Sequence, residues 1–140
     1  MTASVKVALA GISGFGDAYL DAILSNGREW GLDLVGVVDT VPQRCRRLQE
    51  LKEREVPVHA TVQSLFASAP VDLLMIATPI HQHAPQTCFA LGQGANVLCE
   101  KPLAGTLEDA LRMLACSREA RGFVGVGYQW SYRQADRWEE

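Results

Sequence analysis

Residues 5–16 read VKVALAGISGFG, and this stretch from Val5 to Gly16 decides the fold. Its first half, Val5–Ala10, is a short apolar run that predicts a strand, and its second half is a G-x-x-G-x-G turn that opens a helix. In such a turn one glycine permits the tight bend, one lets backbone amides approach a diphosphate, and one lets helix and strand pack closely. An anion bound there lies against the N-terminal dipole of the helix. The stretch therefore predicts the phosphate-binding turn of a dinucleotide site.

An acidic residue stands at the position where a dinucleotide site needs one. Asp39 follows the second predicted strand, roughly 20 residues beyond Gly16, which is the spacing of a carboxylate that binds the adenosine ribose. The alternative is that the glycines serve only packing and that Asp39 only caps a turn. We predict that the following residues contact the cofactor: Gly11, Ile12, Ser13, Gly14, Phe15, Gly16, Asp39 and Thr40.

The choice between NAD and NADP depends on the same carboxylate. Asp39 would repel the 2′-phosphate of NADP, whereas an arginine nearby can accommodate that group. Arg44, Arg46 and Arg47 follow closely, although a basic stretch on a polar helix is usually a solvated face. We therefore predict NAD as the cofactor, and the three arginines leave NADP open.

Short apolar runs alternate with segments of helical periodicity along the whole chain, which is the βαβ pattern. Six strands are predicted, at residues 5–10, 32–38, 57–60, 71–77, 95–99 and 123–127. Helices are predicted at residues 14–26 with Gly27 as the stop, 41–55, 62–67, 83–91, and 107–121 with Thr106 as N-cap. Right-handed crossovers then give an α/β fold, a Rossmann doubly wound parallel sheet in the order 3-2-1-4-5-6 with helices on both faces.

Composition limits the classes of protein to which the chain can belong. With 140 residues, 48% of them hydrophobic, the chain suits one compact domain. A net charge of -3 argues against nucleic acid and anionic membranes as partners, and neither a transmembrane stretch nor a secretory signal is predicted. The four cysteines lack C-x-x-C spacing, so we expect reduced thiols and a cytoplasmic location. His81 and His83 have no Cys, Asp or Glu cluster nearby, so no metal site is predicted.

Two further motifs end neighbouring predicted strands. Ala77-Thr78-Pro79 closes the fourth strand, and Glu100-Lys101-Pro102 closes the fifth. Ligands of an open α/β sheet bind at the carboxyl ends of its strands. Pro102 keeps Lys101 out of the helical region, so its ammonium projects from a stiff loop. The second motif therefore predicts a cation at the binding edge of the sheet.

Together these motifs resemble those of the glucose-fructose oxidoreductase, inositol dehydrogenase and rhizopine-catabolism family, the Gfo/Idh/MocA oxidoreductases. The glycine turn, Asp39, Ala77-Thr78-Pro79-x-x-x-His83 and Glu100-Lys101-Pro102 occur in the order and spacing of that family. Its members pair a dinucleotide-binding Rossmann domain with a second domain built on a large, mostly antiparallel sheet. Most oxidise or reduce a hydroxyl of a sugar, cyclitol or related compound. The resemblance thus implies an NAD(P)-dependent dehydrogenase with a small polyhydroxylated substrate.

The resemblance also implies a role for each matching residue. It adds six positions to the site: Ala77, Thr78, Pro79, His83, Glu100 and Lys101. The first three line the nicotinamide half of the cofactor, His83 starts the next helix, and Glu100 meets the nicotinamide ribose. Lys101 is the catalytic residue, which orients the substrate hydroxyl and stabilises developing negative charge. Ile80 stands where the family often has asparagine, so a side-chain hydrogen bond to the cofactor is not expected there.

The resemblance covers only the first domain of such an enzyme. We expect residues 1–127 to form an NAD(P)-binding domain and residues 128–140 to start the segment that leads to a missing substrate domain. In this family the absent part usually supplies the proton acceptor, so we expect this chain to bind dinucleotide without turnover. Trp130, Tyr132 and Trp138 predict either self-association into a homo-oligomer or folding back onto the sheet.

Two other classes of protein stay open. A non-catalytic NAD-sensing module would keep the glycine turn and Asp39 but would have no use for Lys101. A Rossmann-like methyltransferase has similar first-turn features, yet the Thr78-Pro79 and Glu100-Lys101-Pro102 motifs correspond to nothing needed to hold its cofactor.

Overall fold

The structure is a computed structural model and describes residues 3–128. Its strands are β1 (Val5–Ala10), β2 (Leu32–Val38), β3 (Val58–His59), β4 (Leu73–Ile76), β5 (Asn96–Cys99) and β6 (Val124–Val126). Its α-helices are α1 (Gly16–Asn26), α2 (Leu48–Glu53), α3 (Val62–Ser68), α4 (His83–Gly92) and α5 (Leu107–Glu119). Short 3₁₀ turns occupy Pro42–Arg44 and Ile80–Gln82. None of the helices in this part of the chain has the length and apolar character that crossing a bilayer requires.

The strands form one sheet in the order β3-β2-β1-β4-β5-β6, and every pairing among the described residues is parallel. The predicted fold class and strand order are therefore confirmed. The order in which strands are added reverses at β1, because β2 and β3 lie on one side of it and β4, β5 and β6 lie on the other. The loops that follow β1 and β4 therefore separate and leave a crevice at the carboxyl edge.

Helices cover both faces of the sheet because its central strands are apolar on both sides. In β1, Val7 and Leu9 pack into one core with Leu20 of α1 and Leu51 of α2. The alternating residues of β1, Ala8 and Ala10, pack into the opposite core, together with Leu65 of α3 and Met113 of α5. All four of these β1 side chains are 0% exposed. The continuous apolar run of β1 is thus the signature of a strand buried on both faces.

Several predicted element boundaries are wrong. The helix predicted for residues 41–55 is interrupted, because Cys45 has extended backbone and α2 starts only at Leu48. This break places Cys45 in the core, and a left-handed Glu55 with a φ of 56° ends the segment. Gly14 also has a left-handed φ of 59°, so α1 begins at Gly16 rather than at Gly14. The predicted stop of α1 is confirmed, because the helix ends at Asn26 and Gly27 is its C-cap, with right-handed backbone.

The expectation of reduced thiols is wrong for one pair of cysteines. Cys88 of α4 and Cys116 of α5 form a disulfide, with their Cα atoms 5.5 Å apart. Cys45 and Cys99 are free and buried, as expected. The paired cysteines are 28 residues apart in sequence, and the packing of α4 against α5 brings them together.

Candidate functional site

The glycine turn after β1 disfavours a side chain at each of its three glycines, by close contact at Gly11 and Gly16 and by backbone conformation at Gly14. Gly11 has a φ of 85°, and a Cβ atom on it would lie 2.6 Å from the carbonyl oxygen of Ala77. A Cβ atom on Gly16 would overlap the carbonyl oxygen of Gly11. Gly14 has open space around it but adopts the left-handed conformation that glycine tolerates best. The turn can therefore approach β4 and a ligand more closely than any turn with side chains could.

Backbone donors are free at the start of α1. Within the described chain, no carbonyl or side chain accepts a hydrogen bond from the amides of Ser13, Gly14 and Phe15. The helix begins at the next residue, so these donors lie at its N-terminus, where the helix dipole favours an anion. The turn thus has the free amides and the missing side chains that a diphosphate requires.

Asp39 fastens the glycine turn to the end of β2. Its Oδ2 accepts hydrogen bonds from the amide of Ile12 at 3.1 Å and from the hydroxyl of Ser13 at 3.4 Å. Its Oδ1 accepts one from the amide of Val41 at 2.8 Å. Since a carboxylate offers about four acceptor positions, Asp39 keeps capacity for a hydroxyl of a ligand. The half-buried carboxylate is therefore both a brace for the turn and an acceptor at the crevice.

A cleft of about 920 Å³ opens beside the turn, between the ends of β2 and β4. It is lined by eight of the predicted residues: Gly11, Ser13, Gly14, Asp39, Thr40, Ala77, Thr78 and Pro79. Six others lie outside its lining: Ile12, Phe15, Gly16, His83, Glu100 and Lys101. Arg44, named above as a possible partner of the 2′-phosphate of NADP, also lines the cleft, and further lining residues that were not predicted to contact the cofactor are Thr61, Gln63, His81, Gln82 and Gln86. Thr61 and Gln63 reach the cleft only because β3 pairs with β2, and no local pattern signals that.

His83 joins the two loops that follow β4 and β5. Its ring is 2% exposed, with Nε2 lying 2.9 Å from the carbonyl oxygen of Thr78. Nδ1 lies 3.1 Å from the carbonyl oxygen of Pro102 and 3.3 Å from that of Leu103. The hydroxyl of Thr78 in turn donates to Oε1 of Gln86 at 2.7 Å. The structure thus places His83 beneath the loops, where it holds them in register.

Glu100 and Lys101 directly follow β5 and lie outside the cleft lining, against residues at the start of α1. Glu100 is 6% exposed, and its Oε1 accepts a hydrogen bond from the hydroxyl of Tyr19. Lys101 is exposed, with its Nζ 6.0 Å from the centre of the Phe15 ring. No ion pair involves Lys101 in residues 3–128. Its ammonium is therefore available to a ligand at this edge.

Tyr19 contacts two of the predicted site residues, Phe15 and Glu100, although no motif in the sequence indicates it. It stands four residues after Phe15, and their rings make an edge-to-face contact with centroids 6.3 Å apart. Two aromatic residues at this helical spacing, directly after a glycine turn, were the available signal. The hydrogen bond to Glu100 spans 81 residues of sequence and could not be seen locally.

Two of the three arginines near Asp39 are engaged elsewhere. Arg46 pairs with Asp17, and Arg47 pairs with both Asp21 and Glu50. The hydrogen bond from Arg47 holds the pKa of Glu50 below its usual range. These pairs tie the segment before α2 to α1 and leave Arg44 as the arginine that lines the cleft.

The two histidines of the fourth loop lie in different surroundings. His81 is exposed at the cleft, whereas His83 is buried among carbonyl oxygens. In the described part of the chain, no group of three or more His, Cys, Asp or Glu residues is arranged to hold a metal ion.

Comparison with known proteins agrees with this geometry. Residues 5–128 match GFO_IDH_MocA, the oxidoreductase family with an NAD-binding Rossmann fold. The chain is 34% identical over 122 residues to a 1-carboxy-3-chloro-3,4-dihydroxycyclo hexa-1,5-diene dehydrogenase of Comamonas testosteroni, covering 87% of this chain and 30% of that protein. It is 32% identical over 126 residues to inositol 2-dehydrogenase 1 of Saccharopolyspora erythraea, covering 89% and 37%.

A solved structure shares the fold over nearly the whole chain. The WlbA dehydrogenase of Bordetella pertussis, in complex with NADH and UDP-GlcNAcA, superposes with a TM-score of 0.80 at 25% identity. The match covers 94% of this chain and 39% of that one, so the chain spans about a third of the length of the proteins it matches. The predictions of an oxidoreductase family and of an NAD-binding Rossmann domain are thereby confirmed. On the family match across residues 5–128, the chain belongs to the GFO_IDH_MocA oxidoreductases.

Proposed function

We propose that this chain is the cofactor-binding part of an NAD-dependent dehydrogenase that acts on a hydroxyl of a sugar, cyclitol or related compound. One observation carries the proposal. Free turn amides and the Asp39 carboxylate lie at the start of α1, and the exposed Lys101 lies near Phe15 of the same turn, at the same edge of the sheet. An extended dinucleotide laid along this edge, past the start of α1, would meet both.

The turn side would bind the adenosine half of the cofactor. The amides of Ser13, Gly14 and Phe15 would donate to the diphosphate, with the dipole of α1 behind them. Asp39 would accept a hydrogen bond from the adenosine ribose and would repel a 2′-phosphate. Arg44 is the residue that could offset that repulsion, and it lines the same cleft as a carboxylate already held by three donors. We therefore propose a preference for NAD over NADP.

The lysine side would hold the nicotinamide half and the substrate. The bound cofactor supplies hydride transfer. Thr78 and Pro79 would border the nicotinamide, and Glu100 would accept a hydrogen bond from its ribose. The Lys101 ammonium would hold the substrate hydroxyl and stabilise negative charge on its oxygen as the proton leaves. His83 would contact neither the cofactor nor the substrate, and it would act by holding the loops of Thr78 and Pro102 together.

Residues 1–127 would form the cofactor-binding domain, with residues 128–140 leading to a substrate domain. Trp130, Tyr132 and Trp138, on which self-association was predicted, lie outside the described residues. Because the proton acceptor of this family usually comes from the second domain, the chain alone would bind dinucleotide but would not turn over substrate.

Titration calorimetry of the 140-residue chain with NADH and NADPH tests the binding proposal. We expect NADH to bind at least about tenfold more tightly, the effect of one unfavourable charge contact of roughly 1.4 kcal/mol. Tighter binding of NADPH would overturn the cofactor preference, and binding of neither would overturn the dinucleotide site.

Turnover is tested separately, with NAD and a panel of sugars and cyclitols. No NADH production is expected from the chain alone, and steady production would show that it carries a complete active site. Lys101→Ala in a full-length relative separates an enzyme from an NAD-sensing module. Loss of turnover with NADH binding kept supports the enzyme, whereas unchanged turnover removes the role of Lys101.

The predicted cytoplasmic location meets one opposing observation. Disulfides persist mainly in oxidising compartments, and the structure pairs Cys88 with Cys116. We propose the cytoplasm, with both thiols reduced there, because NAD-dependent oxidation needs the cytoplasmic cofactor pool. Alkylation of intact cells followed by mass spectrometry would show two labelled thiols, and their protection would contradict this location.

A further inference from the structure

Glu100 is held from two directions at the end of β5. The residue is 6% exposed, which is unusual for a carboxylate that pairs with no cation among residues 3–128. The hydroxyl of Tyr19 donates to Oε1, and the backbone amide of Lys101 donates to Oε2 at 3.2 Å. A buried carboxylate needs such donors, because its desolvation is otherwise uncompensated. Each oxygen thus has one donor in place and retains capacity for another.

The wall behind this carboxylate is built from Gly127, which directly follows β6. A Cβ atom on Gly127 would overlap Oε1 of Glu100 and would lie 3.3 Å from the hydroxyl oxygen of Tyr19. The amide of Gly127 donates to the carbonyl oxygen of Cys99 at 2.8 Å, which fixes the backbone at this distance. Glu100 therefore occupies a slot between α1 and Gly127, with the hydroxyl of Tyr19 against its Oε1.

Tyr19 also connects this slot to the glycine turn. It lies on the first turns of α1, three residues after Gly16, and its ring contacts Phe15 edge to face. Phe15 in turn lies beneath the ammonium of Lys101, with 6.0 Å between Nζ and the ring centre. The helix whose N-terminus has the free amides thus also orients the two charged groups at the end of β5.

We propose that Tyr19 is a positioning residue, whose hydroxyl fixes the Glu100 carboxylate so that it receives the ribose attached to the nicotinamide. The proposal rests on the proposed function, because the proposed function names the nicotinamide ribose as the ligand of Glu100. It goes further in giving a residue of α1 control over the nicotinamide half alone. Tyr19 itself acts only through Glu100.

Tyr19→Phe on the 140-residue chain tests this with three ligands of increasing length. ADP ends before the second ribose, ADP-ribose includes that ribose, and NADH adds the nicotinamide. We expect the affinity for ADP to stay within about twofold, because the free amides and Asp39 are untouched. The affinities for ADP-ribose and NADH should fall by about tenfold, the usual effect of one hydrogen bond to a charged group.

A merely structural role for Tyr19 predicts a different pattern. If loss of the hydroxyl loosened α1, the affinities for all three ligands would fall together, and the proposal would be overturned. Equal affinities of wild type and variant for all three ligands would also overturn it. If wild type bound none of them, the dinucleotide site itself would be absent, so that outcome separates failure of the proposed function from failure of this inference.

Two further variants keep the test decisive if Tyr19→Phe fails to fold. Tyr19→His retains a donor and should recover part of the affinity for ADP-ribose, whereas a purely apolar role for the ring predicts no recovery. Glu100→Gln should weaken the binding of ADP-ribose and NADH but not of ADP, and adding Tyr19→His to it should cause little further loss. Independent, multiplying losses in the double variant would show that Tyr19 does not act through Glu100.

Discussion

The carboxyl edge of the sheet has two sides that are built differently. The turn side, defined as Gly11–Gly16 with Asp39, presents free backbone amides beside an open cleft of about 920 Å³. The lysine side, defined as Thr78, His83, Glu100 and Lys101, consists of side chains already engaged by their neighbours, with only the lysine exposed.

This difference follows from what each side would recognise. A diphosphate can be bound by backbone donors alone, so the turn side needs only glycine and a helix N-terminus. Positioning one reactive carbon needs side chains held at fixed angles, so the lysine side is braced by hydrogen bonds. Variants in the two sides should therefore fail in different ways.

Gly11→Ala should have the largest effect and should damage the turn side. Its methyl would lie 2.6 Å from the carbonyl oxygen of Ala77, at a φ of 85° that disfavours alanine. We expect the free energy of unfolding to fall by about 2 kcal/mol or more, and ADP affinity to fall by more than about tenfold. Urea denaturation and calorimetry with ADP measure the two quantities.

Gly92→Ala is the matched control for this substitution. Gly92 ends α4 and has nothing within 4 Å of an added Cβ atom. The free energy of unfolding should be unchanged or should rise by up to about 1 kcal/mol. Equal behaviour of the two variants would show that close approach at Gly11 is unimportant.

Asp39→Asn should weaken every ligand that contains adenosine. The substitution removes the charge that holds the amides of Ile12 and Val41, and it weakens the acceptor at the cleft. We expect ADP, ADP-ribose and NADH to lose affinity by about tenfold alike, the usual effect of a charge-assisted hydrogen bond. The control is Asp33→Asn, the same substitution at an exposed carboxylate of β2, which should leave the affinities for all three ligands unchanged. A loss confined to NADH would contradict the assignment of Asp39 to the turn side.

His83→Ala should reduce stability while sparing the turn side. It removes a ring that is 2% exposed and that joins the carbonyls of Thr78 and Pro102. We expect the free energy of unfolding to fall by about 2 kcal/mol, with ADP affinity within about twofold of wild type. The exposed His81→Ala is the control and should be nearly neutral. Loss of ADP binding in His83→Ala would mean that the two sides are not independent.

The smallest expected effect is on the reactivity of two buried thiols, Cys45 near the turn side and Cys99 near the lysine side. Burial raises the pKa of Cys45, whose thiol is near Asp39, and burial raises the pKa of Cys99, next to Glu100, to about 11. Because only thiolate reacts, both should resist a disulfide reagent at pH 8, and Cys99 should react more slowly. Mass spectrometry of the labelled native chain checks the order. Faster labelling of Cys99 would contradict it.

The raised pKa of Cys99 also determines the direction in which the stability of the fold changes with pH. The ordinary pKa of a thiol is 9.0, and that of Cys99 in the fold is about 11. Between these values the unfolded chain has lost the proton that the folded chain retains, so this contribution to stability is present below pH 9 and is lost as pH rises towards 11. The pH dependence of unfolding in Cys99→Ala should lack this component.

Some of the site was predictable because its signals are local. Gly11, Gly14 and Gly16 follow an apolar run directly, and the reasons for each glycine lie within one turn of chain. Asp39 was predictable from its spacing, since the length of a strand and helix sets where β2 ends. The break in the helix predicted over residues 41–55 was not predictable in this way, because it depends on burying Cys45 in a core formed by distant strands.

The sequence by itself determined the α/β class, the strand order and the residues of the glycine turn, because apolar periodicity and glycine placement report on neighbours along the chain. Only the tertiary structure decided that Tyr19 meets Glu100, that His83 joins two loops and that Cys88 pairs with Cys116. These contacts join residues far apart in sequence, and each depends on how one element packs on another. Side-chain recognition across a sheet edge is therefore a property of packing, whereas the phosphate-binding turn is a property of local chain geometry.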